Sequence, residues 1–284
     1  MARSRDRVAE QGQARGAPAR SAGARLFREA LWTAVYGLPL IAVLIAWEIF
    51  ARSGAVTMFM LPPASAVAER IWADAVAGDL WRNILTTMYR AFTGFLLGSL
   101  IGVAIGIGIS RNALARWFFD PIISIGFPMP KVAFLPVVIL WLGVFDISKI
   151  TMVTIEVVFP VVTATVIGLQ GVNRSLVWSA RNLGATRRQL LWHVMIPAAF
   201  PQIFTGVQVA LPIALIVAVF TEMAMGGYGL GASMMSASRF ADSRGVFAGI
   251  VAIALVGYGV VKLMALLRRR VLLWHPEAVM PSTV

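Results

Sequence analysis

Charged side chains inside long apolar segments are the residues of this sequence that could do chemistry. Lys131 lies among three prolines, Glu156 lies within an apolar run, and Glu222 lies near the end of another. A charge at the centre of a membrane helix costs roughly 2.5–3.5 kcal/mol on insertion scales, so each needs a role that compensates this cost. All three are candidates to line a pathway for a polar solute. A structural ion pair would explain Lys131 and Glu156 equally well.

Residues for other kinds of chemistry are scarce. The chain has no cysteine, which excludes disulfides and thiol catalysis, and its two histidines, His193 and His275, are far apart. It also has no G-x-x-x-x-G-K-[ST] stretch, so it cannot bind ATP through a P-loop. We therefore expect no catalytic, metal-binding or cofactor-binding residues, and we do not expect an enzyme.

A stripe of glycines could bring two helices close together. Gly94, Gly98, Gly102 and Gly106 recur at every fourth position of one apolar segment. Residues at this spacing share one helix face, where the backbone of another helix can approach closely. Packing within the chain is the simpler interpretation, and a seam between two copies is the alternative.

The elements that must position these residues are membrane helices. Hydrophobic residues make up 59% of the chain, charged residues 13%, and the mean hydropathy is +0.80. Because a span needs about 20 apolar residues, the apolar runs predict an all-α polytopic membrane protein with about six transmembrane helices. The predicted spans are Leu31–Ala51, Ile84–Ile109, Ile122–Val144, Ile150–Leu169, Phe204–Met225 and Val246–Leu267. Pro128, Pro130 and Pro136 interrupt the third, which is tolerated where a helix faces protein or a water-filled cavity.

The basic residues predict the orientation. The net charge is +12, and most of the 25 lysines and arginines fall in the N-terminal tail, the second-to-third and fourth-to-fifth loops, and the C-terminus. The positive-inside rule places these segments, and both termini, in the cytoplasm of a multi-pass inner-membrane protein. The basic charge therefore reflects topology, and we expect no nucleic-acid partner.

The fourth-to-fifth loop contains an amphipathic helix. In "LVWSARNLGATRRQLLWHV" the apolar residues recur at three and four positions, and Asn173 or Ser175 can cap the start. Gly184 either ends this short helix or allows the close approach of a partner. Such a helix suits docking into a groove on a soluble protein. An interfacial helix resting on anionic lipid is the alternative.

The stretch "ARNLGATRRQLLWHVMIPAAFP" resembles the cytoplasmic EAA loop of ATP-binding cassette (ABC) importer permeases. Gly184 matches the glycine of the pattern E-A-A-x3-G-x9-I-x-L-P, but Trp178 and Ser179 stand at its first two positions. The resemblance implies an ATPase-coupling loop, comprising Ala180, Arg181, Leu183, Gly184, Ala185, Thr186, Val194, Ile196 and Pro197. The departure at Trp178 puts one polar contact to the ATPase in doubt.

The resemblance extends over roughly Leu61–Leu272. "LPPASAV" and "FLPVVILWLGVFDISKI" are similar to the nitrate, taurine and sulfonate subgroup of these permeases. It implies the type I ABC importer permease fold and a pathway for a small solute. The implied partners are two copies of a separate ABC ATPase subunit, an extracytoplasmic solute-binding protein and a second permease copy, by default in a homodimer. Nitrate, taurine, alkylsulfonates, bicarbonate, aromatic acids and thiamine precursors are all compatible substrates.

The predicted domain organisation has four parts. Residues 1–30 form a disordered basic cytoplasmic tail, 31–82 a first transmembrane helix and extracytoplasmic link, 83–270 the ABC transmembrane type-1 domain, and 271–284 a cytoplasmic C-terminal tail. Two other functional classes stay open at this point. A secondary transporter independent of ATP would explain the broken helix and the intramembrane charges, but not the Gly184 loop. A membrane scaffold would leave the charges unexplained.

Overall fold

The computed structural model describes residues 38–272, and every regular element within that range is helical. The chain divides into two compact units, Met1–Thr57 and Met58–Val284. The described part of the first unit contains helix α1, 38–52. The predicted first span, Leu31–Ala51, therefore begins outside the described residues. The predicted N-terminal tail and most of the predicted C-terminal tail also lie outside them.

The second unit is built from nine further helices in its described part. They are α2 (Ala64–Ala77), α3 (Asp79–Arg111), α4 (Ala113–Gly126), α5 (Leu135–Leu142), α6 (Asp146–Gln170), α7 (Arg174–Asn182), α8 (Arg187–Met225), α9 (Leu230–Arg239) and α10 (Ser243–Val271). Of these, α3, α6, α8 and α10 are long and apolar enough to cross a membrane. They correspond to the second, fourth, fifth and sixth predicted spans.

The third predicted span is a bent pair of helices. Helix α4 runs to Gly126, a short 3-10 turn covers Lys131–Phe134, and the two arms meet at 96°. Pro128 and Pro130 between the arms lack the backbone N–H that a continuous helix requires. The helix itself begins before the predicted span start at Ile122, at Ala113, and Asn112 caps it by accepting a hydrogen bond from the Leu114 backbone N–H.

The core is the packing of α6 between α3 and α8. Along α6, Met152, Val153 and Val157 are fully buried. The four glycines of α3 all face α6, which is how the two helices approach so closely. A Cβ at Gly98 would lie 2.7 Å from the Thr154 carbonyl oxygen, and one at Gly106 would lie 2.6 Å from Thr165 Cβ. The stripe thus serves a contact within the chain.

Candidate functional site

The coupling segment, defined here as Arg174–Pro197, joins α6 to the membrane-spanning part of α8. Its first helix, α7, is capped by Asn173, whose side chain accepts a hydrogen bond from the Ser175 backbone N–H. None of the nine residues of α7 is buried. Ala180 and Arg181 lie in the last turn of α7, so this part of the predicted coupling loop is helical and accessible.

Gly184 ends α7 in a left-handed turn. Its φ is +83°, and an added Cβ would meet no atom within 4 Å. The Ala185 N–H donates to the Ala180 carbonyl at 3.0 Å, and the Gly184 N–H donates to the Arg181 carbonyl at 2.9 Å. This pair of bonds is the Schellman motif, which favours glycine at this position. The backbone conformation, rather than crowding within the chain, therefore explains why glycine stands here.

A second cap restarts the helix directly after this turn. Thr186 accepts from the Gln189 backbone N–H, and the Gln189 side chain accepts in return from the Thr186 N–H, a reciprocal capping box. A π-helical stretch, Leu190–Met195, follows and contains Val194. Ile196 and Pro197 then open the regular α-helical part of α8. The caps of this segment are therefore formed by bonds between close neighbours in sequence, and Leu190 and Leu191 are its buried residues.

The coupling segment has large apolar side chains that the rest of the described chain does not cover. Leu183 is 88% exposed and Trp178 is 61% exposed. Trp192 and Leu176 are also exposed, and so are four arginines around them: Arg174, Arg181, Arg187 and Arg188. The residue that departs from the EAA pattern, Trp178, is therefore part of an apolar and basic surface.

Lys131 and Glu156 lie together, as the second interpretation of the sequence allowed. The Lys131 Nζ is 3.3 Å from the Glu156 Oε1, and it lies 4.5 Å from the centroid of the Phe159 ring. Lys131 is nearly buried, whereas the Glu156 side chain retains 21% exposure. The carboxylate therefore neutralises the lysine and still borders open space beside α6.

Glu222 lies in a different environment, at the end of α8. It is completely buried, and its carboxylate accepts from the Thr87 hydroxyl, the Arg90 guanidinium and the Gly231 backbone N–H. The Arg90–Glu222 distance is 2.7 Å. Arg90 also reaches Asp146 at 2.7 Å. We call Thr87, Arg90, Asp146 and Glu222 the ion cluster.

The ion cluster fixes the glycine-rich loop that follows α8. Arg90 donates to the Tyr228 carbonyl at 2.6 Å, and Lys149 donates to the Gly226 carbonyl at 2.6 Å. The Asn83 side chain accepts from the Gly229 N–H. Gly226, Gly227 and Gly229 all have positive φ, so this path is one that L-residues rarely adopt. Charged side chains of α3, α6 and α8 thus bond to one another or to this loop.

Sequence reasoning missed most of this cluster. Arg90 could be seen as a cation at the edge of a span, but Thr87, Asp146 and Lys149 gave no signal as its neighbours. The bonds that Thr87, Arg90, Asp146 and Lys149 make across the structure join residues 56 to 143 positions apart along the chain. Within the described residues, no group of three or more His, Cys, Asp or Glu side chains could hold a metal ion.

In the described residues, four helices long and apolar enough to cross a membrane, a bent pair that could form a fifth span, and an exposed loop between α6 and α8 indicate a polytopic membrane protein. The family described as "Binding-protein-dependent transport system inner membrane component" matches residues 94–273. The chain belongs to this family, and it is a permease subunit of an ABC importer. The predicted family is confirmed, and the ATP-independent secondary transporter is not supported.

Curated relatives agree with this assignment. The chain is 30% identical to the taurine transport system permease protein TauC of Escherichia coli (strain K12), over 84% of this chain and 88% of that one. It is 34% identical to the aliphatic sulfonates transport permease protein SsuC of Bacillus subtilis (strain 168), over 84% and 87%. It is 31% identical to the riboflavin transport system permease protein RibX of Chloroflexus aurantiacus, over 86% and 91%.

A solved structure shows the same fold. The crystal structure of an amino acid ABC transporter with histidines aligns with a TM-score of 0.58 and 16% identity, over 69% of this chain and 95% of that one. At this identity the likeness concerns the fold alone. It confirms the predicted all-α importer-permease architecture.

Proposed function

We propose that the coupling segment binds an ABC ATPase subunit and transmits its ATP-driven closure to α6 and α8. The exposed apolar surface of this segment carries the proposal. Leu183 is 88% exposed and Trp178 is 61% exposed, although both side chains are apolar. A hydrophobic anchor surrounded by cations is typical of a docking site. The four exposed arginines predict an acidic rim around the ATPase cleft.

The working assembly that we propose has two copies of this chain, two ATPase subunits and one extracytoplasmic solute-binding protein. The family is binding-protein-dependent, which supports the last partner. Two equivalent copies, with both termini in the cytoplasm, follow from the symmetry that most oligomers adopt and from the positive-inside rule. In this orientation the ion cluster and the glycine-rich loop face outward.

The substrate that we propose is a small organic ion of the sulfonate type. Relatives named for taurine and for aliphatic sulfonates match over 84% of the chain. The riboflavin permease is matched over a similar length, so the shared fold serves chemically distinct solutes. The binding protein therefore sets most of the selection, and the permease supplies a polar route.

Lys131 and Glu156 are the proposed charged part of this route, whereas the buried Glu222 is a member of the ion cluster. Glu156 retains exposed surface beside its lysine partner, whereas Glu222 has none. A test compares the Glu156→Gln variant with the double variant Lys131→Met with Glu156→Gln. If the pair is only structural, removing both charges restores uptake. If Glu156 borders the solute, uptake stays low in both while the protein remains folded.

The docking proposal is tested by co-purification with the ATPase. Gly184→Asp adds a side chain and a charge at the proposed contact. Aspartate tolerates the left-handed conformation better than most residues, so the protein should fold. Gly78→Asp is the matched control, because Gly78 has φ +89° with equally open surroundings at the junction of α2 and α3.

We expect Gly184→Asp to reach the membrane at wild-type level but to lose the ATPase on purification. Gly78→Asp should retain it. Equal retention by both variants and the wild type would contradict docking at Gly184. Failure of the wild type to retain the ATPase would favour a helix resting on lipid instead.

A further inference from the structure

A groove lies between α8 and α10, two of the helices that are long and apolar enough to cross a membrane. Its floor is formed by the buried side chains of Leu215, Val219 and Val260, and its walls include the exposed side chains of Ile216 and Tyr258. The groove has a volume of about 450 Å³, and apart from the Tyr258 hydroxyl every side chain that lines it is apolar. We call it the α8–α10 groove.

The groove lies at membrane depth. It covers residues 212–223 of α8 and residues 253–261 of α10, and both stretches fall inside the predicted spans. At a rise of 1.5 Å per residue, the α8 stretch is roughly 16 Å long. One leaflet contributes about 15 Å, which is half of the 30 Å hydrocarbon core of a bilayer. The length, depth and apolar lining of the groove therefore match a single lipid acyl chain.

A polar pair closes the end of the groove that begins at Pro212. The Arg268 guanidinium donates to the Gln208 Oε1 at 3.2 Å and so joins α10 to α8 one turn before Pro212. Arg268 lies seven residues, or about two turns, after Val261, so it continues the face of α10 that lines the groove. It also follows directly on Leu267, where the predicted sixth span ends. The pair therefore marks the level of the lipid headgroups.

The cations at this end of the groove carry charge that the described chain does not neutralise. Arg268 bonds a neutral amide, and the Lys262 Nζ lies 5.3 Å from the centroid of the Tyr258 ring. Within residues 38–272, neither cation forms an ion pair with a carboxylate. Lys262 falls inside the predicted sixth span, where a charge requires a compensating partner. Basic side chains between membrane helices on the cytoplasmic side are typical of sites for anionic lipid headgroups.

We infer that the α8–α10 groove binds one anionic phospholipid, with an acyl chain in the groove and the phosphate against Arg268 and Lys262. The apolar lining holds the part of the lipid that lies in the hydrocarbon core. The two cations select a headgroup with a net negative charge over a zwitterionic one. This inference goes beyond the proposed function, because it depends neither on the ATPase nor on the solute.

Lipid binding by the full-length chain in a mild detergent tests this inference. The probes are phosphatidylglycerol, which is anionic, and phosphatidylcholine, which is zwitterionic, with the same acyl chains. Native mass spectrometry counts both the bound lipids and the copies of the chain in each particle.

Two glycines of α10 provide a matched pair of variants for the groove. A Cβ at Gly257, which lines the groove, would lie 3.4 Å from Leu215 Cδ2, an ordinary contact. Gly257→Leu should therefore fold and place its side chain where the acyl chain lies. Gly259 is two residues further along, does not line the groove, and has no atom within 4 Å of an added Cβ. Gly259→Leu is thus the control.

Two arginines provide a matched pair for the headgroup. Arg268→Gln removes the charge and leaves an amide that can still bond Gln208. Arg270→Gln removes the same charge, but two positions along a helix correspond to about 200° of rotation, so Arg270 lies on the opposite side of α10.

We expect the wild type to retain one phosphatidylglycerol per chain and to bind it at least about fivefold more tightly than phosphatidylcholine, the factor that one basic side chain near the headgroups contributes. Arg268→Gln should lower this preference by about fivefold, whereas Arg270→Gln should keep it. Gly257→Leu should lose the retained lipid, and Gly259→Leu should keep it.

Three results would overturn the inference. Equal affinity of the wild type for the two lipids would exclude a site for an anionic headgroup. Equal lipid retention by Gly257→Leu and Gly259→Leu would show that the lipid does not lie in the groove. Separation of the copies in Gly257→Leu alone would show that a second chain occupies the groove. If Gly257→Leu does not fold, the comparison of Arg268→Gln with Arg270→Gln still decides.

Discussion

The ion cluster and the coupling segment use polar groups in opposite ways. In the ion cluster, Arg90 and Glu222 are 4% and 0% exposed, and their partners come from four helices (α3, α6, α8 and α9) and the glycine-rich loop. In the coupling segment, the bonds of Gly184 and Thr186 reach no further than five residues, and large apolar side chains are left exposed by the chain. The charged groups of the ion cluster are paired within the chain. The backbone of the coupling segment is capped by local bonds, and its exposed apolar surface is the one we propose binds a partner.

This difference predicts which substitutions should lower the stability of the fold and which should weaken binding of the ATPase. Changes in the ion cluster should lower the free energy of unfolding, because they leave buried charges without partners. Changes on the exposed face of the coupling segment should leave stability intact and weaken the ATPase complex. The predictions that follow run from the largest expected effect to the smallest.

The largest effect is expected for Glu222→Leu. It leaves Arg90 buried with only the half-exposed Asp146 as a charged partner, and breaking one side of a buried pair costs about 3–5 kcal/mol. We expect a strongly lowered yield and melting temperature in detergent. Glu69→Gln on the exposed surface of α2 is the control and should behave as wild type. If the Glu222→Leu variant had the same melting temperature as the wild type, the ion cluster would not be stabilising the fold.

The glycine stripe of α3 should give the next largest effect. Gly98→Ala places a Cβ 2.7 Å from the Thr154 carbonyl oxygen, and overpacking of this kind costs about 1–3 kcal/mol. Gly108 is on the same helix with no atom within 4 Å of an added Cβ. Gly108→Ala should therefore stabilise by roughly 0.5–1 kcal/mol. Thermal unfolding of the two variants side by side checks the sign, and equal shifts would contradict close packing of α3 on α6.

The contrast between these two glycines shows how far the sequence could predict the fold. Spacing alone identified the face of α3, because helical periodicity is a local property. It also offered Asn173 as one of two possible caps and identified the break at Pro128 and Pro130, but it did not predict the Thr186–Gln189 capping box. It could not predict the 96° angle between the two arms, because the angle depends on what each arm packs against.

The two parts of the candidate site also differ in how far they could be predicted from the sequence. The coupling segment was recognisable because the residues that resemble the EAA loop, from Ala180 to Pro197, form one short continuous stretch of sequence. The ion cluster was not, since the Arg90–Glu222 pair spans 132 residues and forms only after α3 and α8 have packed. Glu222 was visible as a costly charge in an apolar run, but its neighbours were not.

The smallest effect concerns a part-exposed pair outside the spans. Arg70 bonds Asp242 at 2.6 Å, and Asp242 also caps α10 by accepting from the Gly245 N–H. The Gly245 N–H and then Arg70 hold the pKa of Asp242 below its ordinary value of 3.8. Stabilisation from this lowered pKa is therefore present above that value and is lost as the pH falls through the folded-state pKa.

Asp242→Asn tests this pair, since asparagine retains the helix cap but removes the charge. We expect a loss below about 1 kcal/mol at pH 7, because partly exposed pairs contribute little. The difference in melting temperature between variant and wild type should shrink as the pH is lowered below the ordinary aspartate pKa. A difference that stays constant with pH would show that the Asp242 charge is not stabilising.

The most direct test of the contrast is the affinity of the ATPase subunit for Leu183→Ser, measured together with the melting temperature of the variant. Leu183 contacts nothing that the fold needs, so the account predicts unchanged melting. It also predicts that the ATPase binds at least about tenfold more weakly, equivalent to about 1.4 kcal/mol. Unchanged affinity, or a loss of affinity that only accompanies unfolding, would contradict the claim that this surface exists for a partner.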